Sequence, residues 1–252
     1  MEDKIIKIFE KESGVSAFFT TKYGAVEGAP GGTVFDNREL FGELGLEDSF
    51  KVWPKQVHGT DIAVIRDEDV GRMREEGGVI IPSTDGVITN MKNVLLTSVH
   101  ADCLPVYLYD PDAGAIGLVH AGWRGAVAGI VPKAIEKMHD EFGAKADSTM
   151  LYIGPGISKC CFEVGGEVAA EFLEKWGSTF AEPETDSDTL DAESKYMLDL
   201  KGAVKAQAIR AGIPDSNIVI SSHCTCCEPE LFCSYRREGG TYMRMGAGIR
   251  LI

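Results

Sequence analysis

Apolar residues along the chain fall into short β-branched or aromatic runs separated by turns, alternating with a few longer stretches of helical period. Val15 to Thr21 reads as a strand, and EGAPGGTVFDNREL as a Gly- and Pro-punctuated loop running into a short helix. Trp53 to Gly59 and Asp61 to Ile65 read as one strand broken at HGT. In GGVIIPSTDGVITN, Asp85-Gly86 introduces the strand Val87 to Thr89. VLLTSV (94–99) and LPVYLY (104–109) are apolar strands interrupted by HADC, which exposes that tetrapeptide to whatever lies at the strand ends. DPDAG (110–114) is a tight turn, IGLVH (116–120) a buried strand, and residues 126–143 an amphipathic helix closed by a glycine C-cap.

LYIGP continues the strands, with helices expected from about Glu167 to Trp176 and from about Leu198 to Ala211, and a strand over 217–221. STFAEPETDSDTLDAES (178–194) is acidic and polar, as a mobile surface loop would be, and YRREGGTYMRMGAGIRLI reads as a Gly-Gly hairpin returning into a sheet. The sum is an α+β domain of mixed β-sheets with helices on the outer faces, a single domain over 1–252. No repeat period or low-complexity segment divides it.

Composition agrees: 44% hydrophobic and 25% charged side chains in 252 residues describe a globular chain with a sizeable core. The formal charge of −14 argues against nucleic acid as a partner, so an anionic small molecule must be held by a few local arginines. No apolar run reaches the ~18 residues of a membrane span, and MEDKIIKIFEKESG lacks a secretory h-region, so a cytoplasmic monomer is expected. In a reducing compartment the 7 cysteines are free thiols or metal ligands before they are disulfides.

His58, Cys103 and His120 each stand at or just after the end of a β-like segment. Imidazole and thiolate suit zinc, and three protein ligands leave a fourth position for water or substrate, as in a catalytic site. About 45 and about 17 residues separate them, so only a preformed fold unites them. His100 offers an H-x-x-C alternative or an orienting role, and Asp102 stands ready to orient an imidazole. A metal-free reading makes Cys103 a nucleophile activated by His120. In SHCTCCEPELFC (222–233), Cys224, Cys226, Cys227 and Cys233 show a C-x-C-C spacing unlike a zinc knuckle, and Cys160-Cys161 are adjacent. Both groups are therefore expected to be buried thiols. GPGIS (154–158), with a helix expected after it, offers amides to an anion, and Tyr235, Arg236 and Arg237 offer a ring for a base and guanidinium forks for phosphate.

KQVHG (55–59), ADCLPV (101–106), GLVHAGWRG (117–125), YIGPGIS (152–158) with CFEVG (161–165), and CT (224–225) followed by FCSYRR (232–237) resemble, in order, the signature blocks of the YfiH-like family. That family is also labelled laccase domain-containing, polyphenol oxidase or purine nucleoside phosphorylase, and the resemblance spans about Phe18 to Arg244. It implies an α-β-β-α sandwich and a zinc site at His58, Cys103 and His120. It also implies phosphorolysis of adenosine, inosine and 5′-methylthioadenosine, with adenosine deamination. The substrates would be small-molecule nucleosides and phosphate. The alternatives are a copper-dependent polyphenol oxidase, Cu²⁺ then occupying the same ligands, and a Cys–His hydrolase linked to peptidoglycan precursor editing. Arg124 is the catalytic candidate for phosphate or transition-state charge, with Gln56, His100 and Arg236 as substrate-binding candidates. Two positions depart from the family pattern: His100, where threonine is common before ADC, and the extra cysteines of CTCC.

Overall fold

In the computed structural model, which describes residues 4–28, 34–73, 77–183 and 193–252, two large sheets stack face to face. The first has the order Ile5–Ile8, Val15–Thr20, Met243–Leu251, Val94–His100, Phe50–Pro54, Gly78–Ile81, with Val26–Glu27 paired to Met243–Leu251 off this path. The second runs Ile218–Ile220, Met150–Ile153, Leu104–Asp110, Ala115–Ala121, Gly86–Thr89, Ile62–Val64. Glu163–Gly165, Lys195–Leu198 and Ala181–Pro183 form a small third sheet.

Alternation along the strands decides which face each side chain serves. Tyr107, Tyr109, Ile116 and Leu118 point into the core between the sheets, where they meet Ala17, Phe19, Val52, Leu96 and Ile249. Leu104, Val106, Leu108 and Val119 point the other way, into a core closed by the helices Ile130–Phe142, Gly166–Trp176 and Leu200–Arg210. On the far face of the first sheet, Phe18 and Leu95 pack with Phe35, Leu40 and Phe41, two of them from helix Arg38–Glu43. Mixed sheets with helices on both outer faces are thus present, in the order helix, sheet, sheet, helix.

Some boundaries differ from the expected ones. The strand placed over 53–65 is two strands, Phe50–Pro54 and Ile62–Val64, one in each sheet. The helix expected over 126–143 divides into Trp123–Val127 and Ile130–Phe142, because Gly129 takes a left-handed φ of 79° between them, and Gly143 caps the second. The C-terminal hairpin is absent: Tyr235–Glu238 is a short helix ended by Gly239, and Met243–Leu251 lies antiparallel between Val15–Thr20 and Val94–His100. No helix follows GPGIS directly; a turn and strand Glu163–Gly165 intervene. Within 178–194, Ala181–Pro183 is a strand, and 184–192 lie outside the described residues.

The chain passes between the two large sheets at 55–61, at 82–85 and at 101–103. These three crossings carry His58, Asp85 and Cys103 to one edge of the sandwich, where strand Ala115–Ala121 brings His120.

Candidate metal centre and its pocket

Asp85 assembles the centre. Its Oδ1 accepts from the His58 backbone N–H at 2.9 Å, and its Oδ2 from Val57 and Gly59 at 3.1 and 2.8 Å, so one buried carboxylate pins the whole QVHG bend. That bend holds His58 at a left-handed φ of 61°, costly for a non-glycine residue without such over-determination. Asp85 Oδ1 also lies 3.0 Å from His120 Nδ1, which leaves Nε2 of that ring directed elsewhere. Burial pushes the Asp85 carboxyl up, but the hydrogen bond from His120 and those from the backbone outweigh it and hold it below its ordinary value.

The donor atoms of His58, Cys103 and His120 all lie within 4.8 Å of one another, and the two imidazole rings stand edge to face at 4.9 Å. Burial pushes the Cys103 thiol up, but the His120 charge and hydrogen bonds from His120 and His58 bring it down to about 6. Burial lowers the pKa of His120, and the Cys103 and Asp85 partners more than offset this, raising it to about 9. Thiolate and imidazolium thus stabilise one another, and a divalent cation would take the proton's place. Two nitrogens and a thiolate, one of the imidazoles oriented by a carboxylate, are a donor set that fits zinc. A Cβ at Gly122 would stand 3.1 Å from both Cys103 Sγ and His58 Cδ2, so this glycine is what lets the strand exit lie against the centre.

His100 does not join the donors. Its Nδ1 is 2.9 Å from Cys103 O and its Nε2 2.7 Å from Ser98 Oγ, and burial together with the His120 charge keeps it well below its ordinary pKa. Being 1% exposed and outside the residues that line the neighbouring cavity, it stands as a neutral brace for the Cys103 backbone. Asp102 orients no imidazole. At a φ of 91° it accepts from Thr225 Oγ1 at 2.6 Å, Ser234 Oγ at 3.0 Å and Arg236 N at 2.7 Å, tying the HADC bend to the C-terminal segment.

His58, Cys103 and His120 lie in the floor of a cavity of about 580 Å³, with Trp123, Arg124, Phe162, Tyr235 and Arg236 on its walls, a size in the range of small-molecule sites. The Arg124 guanidinium makes no hydrogen bond or ion pair among the described residues, and it lies 4.3 Å from the Trp123 ring centroid. Trp123 packs partly into the helix-side core as well, so it serves as wall and as platform for the arginine. Gln56 lines the cavity but is committed at both ends, Nε2 to Val99 O at 3.0 Å and Oε1 from Val99 N at 2.8 Å. Arg236 gives its guanidinium to Cys161 O and Glu163 O, and Arg237 is turned inward onto Thr225 O, Cys226 O and Phe232 O. Three of the amides of GPGIS have partners within the chain: Gly154 N donates to Pro105 O, Ile157 N to Asp102 O and Ser158 N to Cys224 Sγ. Arg244, absent from the sequence candidates, adds a cation to the rim.

A family model described as multi-copper polyphenol oxidoreductase laccase matches residues 6–252. The purine nucleoside phosphorylase YlmD of Geobacillus stearothermophilus is 33% identical over 251 residues, covering 94% of this chain and 90% of that protein. The adenosine deaminase RL5, from an unknown prokaryotic organism, is 34% identical and covers 94% of both. Among solved structures, the hypothetical protein YfiH of Bacillus licheniformis superposes with a TM-score of 0.83 at 30% identity, over 99% of this chain and 97% of that one. YlmD from Geobacillus stearothermophilus superposes with a TM-score of 0.79 at 34% identity, over 95% and 92%. Sequence and fold agree over nearly the whole length, and the chain belongs to the YfiH-like, laccase-domain family.

Proposed function

We propose that the protein is a zinc-dependent purine nucleoside phosphorylase acting on adenosine, inosine and 5′-methylthioadenosine, with adenosine deaminase activity at the same site. The observation that carries this is the convergence of His58, Cys103 and His120 at the floor of a cavity of small-molecule size whose wall holds an uncommitted arginine. Relatives named as a purine nucleoside phosphorylase and as an adenosine deaminase, each about one-third identical over almost the full chain, support it.

Breaking the C1′–N9 bond builds positive charge on the sugar and negative charge on the leaving purine, and phosphate must stand beneath C1′. Arg124 is the residue free to hold that phosphate bidentately, while Arg236 is already bonded to two carbonyls and supplies field more than contacts. Tyr235, 58% exposed at the cavity, and Phe162 are the aromatic faces against which a purine stacks. Asp85 keeps His120 fixed with Nε2 toward the centre, and His58 is held by its own backbone. A zinc ion bound by the three ligands supplies Lewis acidity for either reaction. Two histidines and one cysteine are ligands for one ion, too few for a multicopper cluster, which argues against phenol oxidation despite the family's description.

The test is product analysis at defined metal content. Zinc-loaded protein with adenosine should release adenine only when phosphate is present, and inosine in its absence. Absence of both products under both conditions overturns the proposal, and phenol turnover solely after copper loading would replace it. Cys103→Ala abolishes a metal reaction and a Cys–His hydrolase alike, so that variant does not discriminate.

A further inference from the structure

Cys233 is buried, as expected, but the other cysteines are not all buried thiols beside a turn. Cys224 is buried, but Cys161 is half-buried and Cys160 and Cys227 are exposed, and all four sulfurs lie within 4.8 Å of one another. Cys227 Sγ stands 3.4 Å from Cys160 Sγ and 3.2 Å from Cys161 Sγ, with every cysteine a free thiol. Four thiolates at the Zn–S distance of about 2.3 Å occupy a tetrahedron with edges of about 3.8 Å. The two separations from Cys227 fall about 0.4–0.6 Å short of that edge, and the 4.8 Å limit on every pair exceeds it, so a small outward movement of the thiols admits the ion. An iron–sulfur cluster, whose ligands attach to different irons, needs its sulfurs spread more widely.

We propose that Cys160, Cys161, Cys224 and Cys227 form a second, closed tetrathiolate zinc site, structural in role and separate from the pocket.

The local backbone fits such a site. Within CTCC, Cys224 and Cys227 form a C-x2-C pair, and the Cys227 N–H donates to Cys224 O at 3.1 Å in a tight turn that turns both sulfurs the same way. A second turn, in which Cys161 N and Phe162 N both donate to Ser158 O, presents the adjacent cysteines. Gly156 bridges to Cys224, and Ser158 N–H donates to Cys224 Sγ at 3.4 Å, a hydrogen bond that a metal-bound thiolate accepts well. A tetrathiolate around a divalent ion carries net negative charge, and a matching cation is in place. Lys201, 6% exposed, donates to Ser221 O at 2.9 Å and His223 O at 2.6 Å and makes no ion pair with a carboxylate among the described residues. A buried ammonium in that setting is costly, and an anionic thiolate centre beside it offsets the cost. Binding releases four thiol protons to solvent and closes no redox step.

The ion would join residues 158–162 to residues 224–227. These segments supply the carbonyls of Cys161, Thr225 and Cys226 that hold Arg236 and Arg237, and the Thr225 hydroxyl that holds Asp102 beside Cys103. Its place is behind the cavity wall that carries Phe162 and Arg236.

Protein purified without chelator should contain about two zinc ions per chain, the Cys160→Ser/Cys227→Ser variant about one, and the His58→Ala/His120→Ala variant about one. With cobalt(II) in place of zinc, the wild-type sulfur-to-cobalt absorption should fall in the cysteine variant to that of a single-thiolate site. Because the variant's fold is itself at stake, the wild type is also alkylated and mapped by mass spectrometry. Cys160 and Cys227, despite their exposure, should react slowly with zinc bound and fast after chelation. Equal alkylation with and without chelator, a disulfide among the four, or unchanged zinc content in the cysteine variant overturns the proposal. None of these readouts depends on the reaction at the pocket.

Discussion

The Asp85 carboxylate lies 3.0 Å from His120 Nδ1 through the same oxygen that accepts the His58 amide at 2.9 Å, so one acidic residue fixes both imidazole-bearing segments. Asp85→Asn keeps the shape but offers its amide nitrogen where the His120 proton or the backbone N–H groups must be accepted. We expect zinc affinity and turnover to fall by about 10–100-fold, the usual effect of removing a carboxylate behind a metal-bound histidine. Competition with a chromophoric chelator measures the first and product release the second. An unchanged affinity would place Asp85 outside the metal's support.

Gly122→Ala tests the close approach at the strand exit. With φ at −74° the backbone accepts alanine, so the effect is the clash of Cβ with Cys103 Sγ and His58 Cδ2, both 3.1 Å away. Metal content should drop while circular dichroism stays native. Gly42→Ala is the matched control, since nothing lies within 4 Å of its Cβ on an exposed helical turn; it should add about 0.8–1.0 kcal/mol of stability and leave metal content alone.

Arg124→Ala should remove one charged hydrogen-bonding partner of phosphate, a loss of about 1.5–3 kcal/mol, or about 10–100-fold in kcat/KM for phosphate. Arg124→Lys should recover part of this, keeping the charge and losing the fork. Deamination, which needs no phosphate, should change less. Equal loss of both reactions would point to Arg124 contacting the nucleoside instead.

Acid stability should depend on Asp110. Its buried carboxylate accepts from Asp112 N, Ala113 N, Lys145 N and Ser148 Oγ at 2.7–3.1 Å. Burial raises its pKa, but these four donors outweigh it and hold it below the ordinary value. The folded pKa being the lower one, the stabilisation is present above the unfolded value of about 3.9 and is lost as pH falls through the folded value. Asp110→Asn should cost about 1–3 kcal/mol at neutral pH and flatten the acid limb of the unfolding curve. A parallel downward shift at all pH values would assign the loss to packing.

His58, Cys103 and His120 were legible in the sequence because each is a reactive side chain where an apolar run breaks, a local pattern. Asp85 looks in the sequence like no more than the start of a strand, since its work lies across the sandwich on residues 57–59 and 120, and no local pattern encodes that meeting. The same reason defeated the C-terminal hairpin: Met243–Leu251 pairs with strands from the first half of the chain, and its Gly-Gly caps a helix turn instead. Gln56, Arg236 and three of the GPGIS amides carry suitable groups, but partners elsewhere in the chain claim them, and satisfaction of that kind appears only in three dimensions. In CTCC the C-x-C-C spacing hides the pair that comes together in space, which skips Cys226.

Because His58 and Cys103 ride on passages between the two sheets while His120 belongs to one of them, the donor triangle acts as a gauge of how the layers are stacked. A slip of one sheet over the other by an ångström would open the triangle before it disturbed either sheet's own hydrogen bonds. Interior residues that do not line the pocket, Tyr107 and Ile249 among them, would therefore set the fineness of metal fit. Metal retention would then be a sensitive readout of packing in the middle of the molecule, and a bound ion would hold the layers in register.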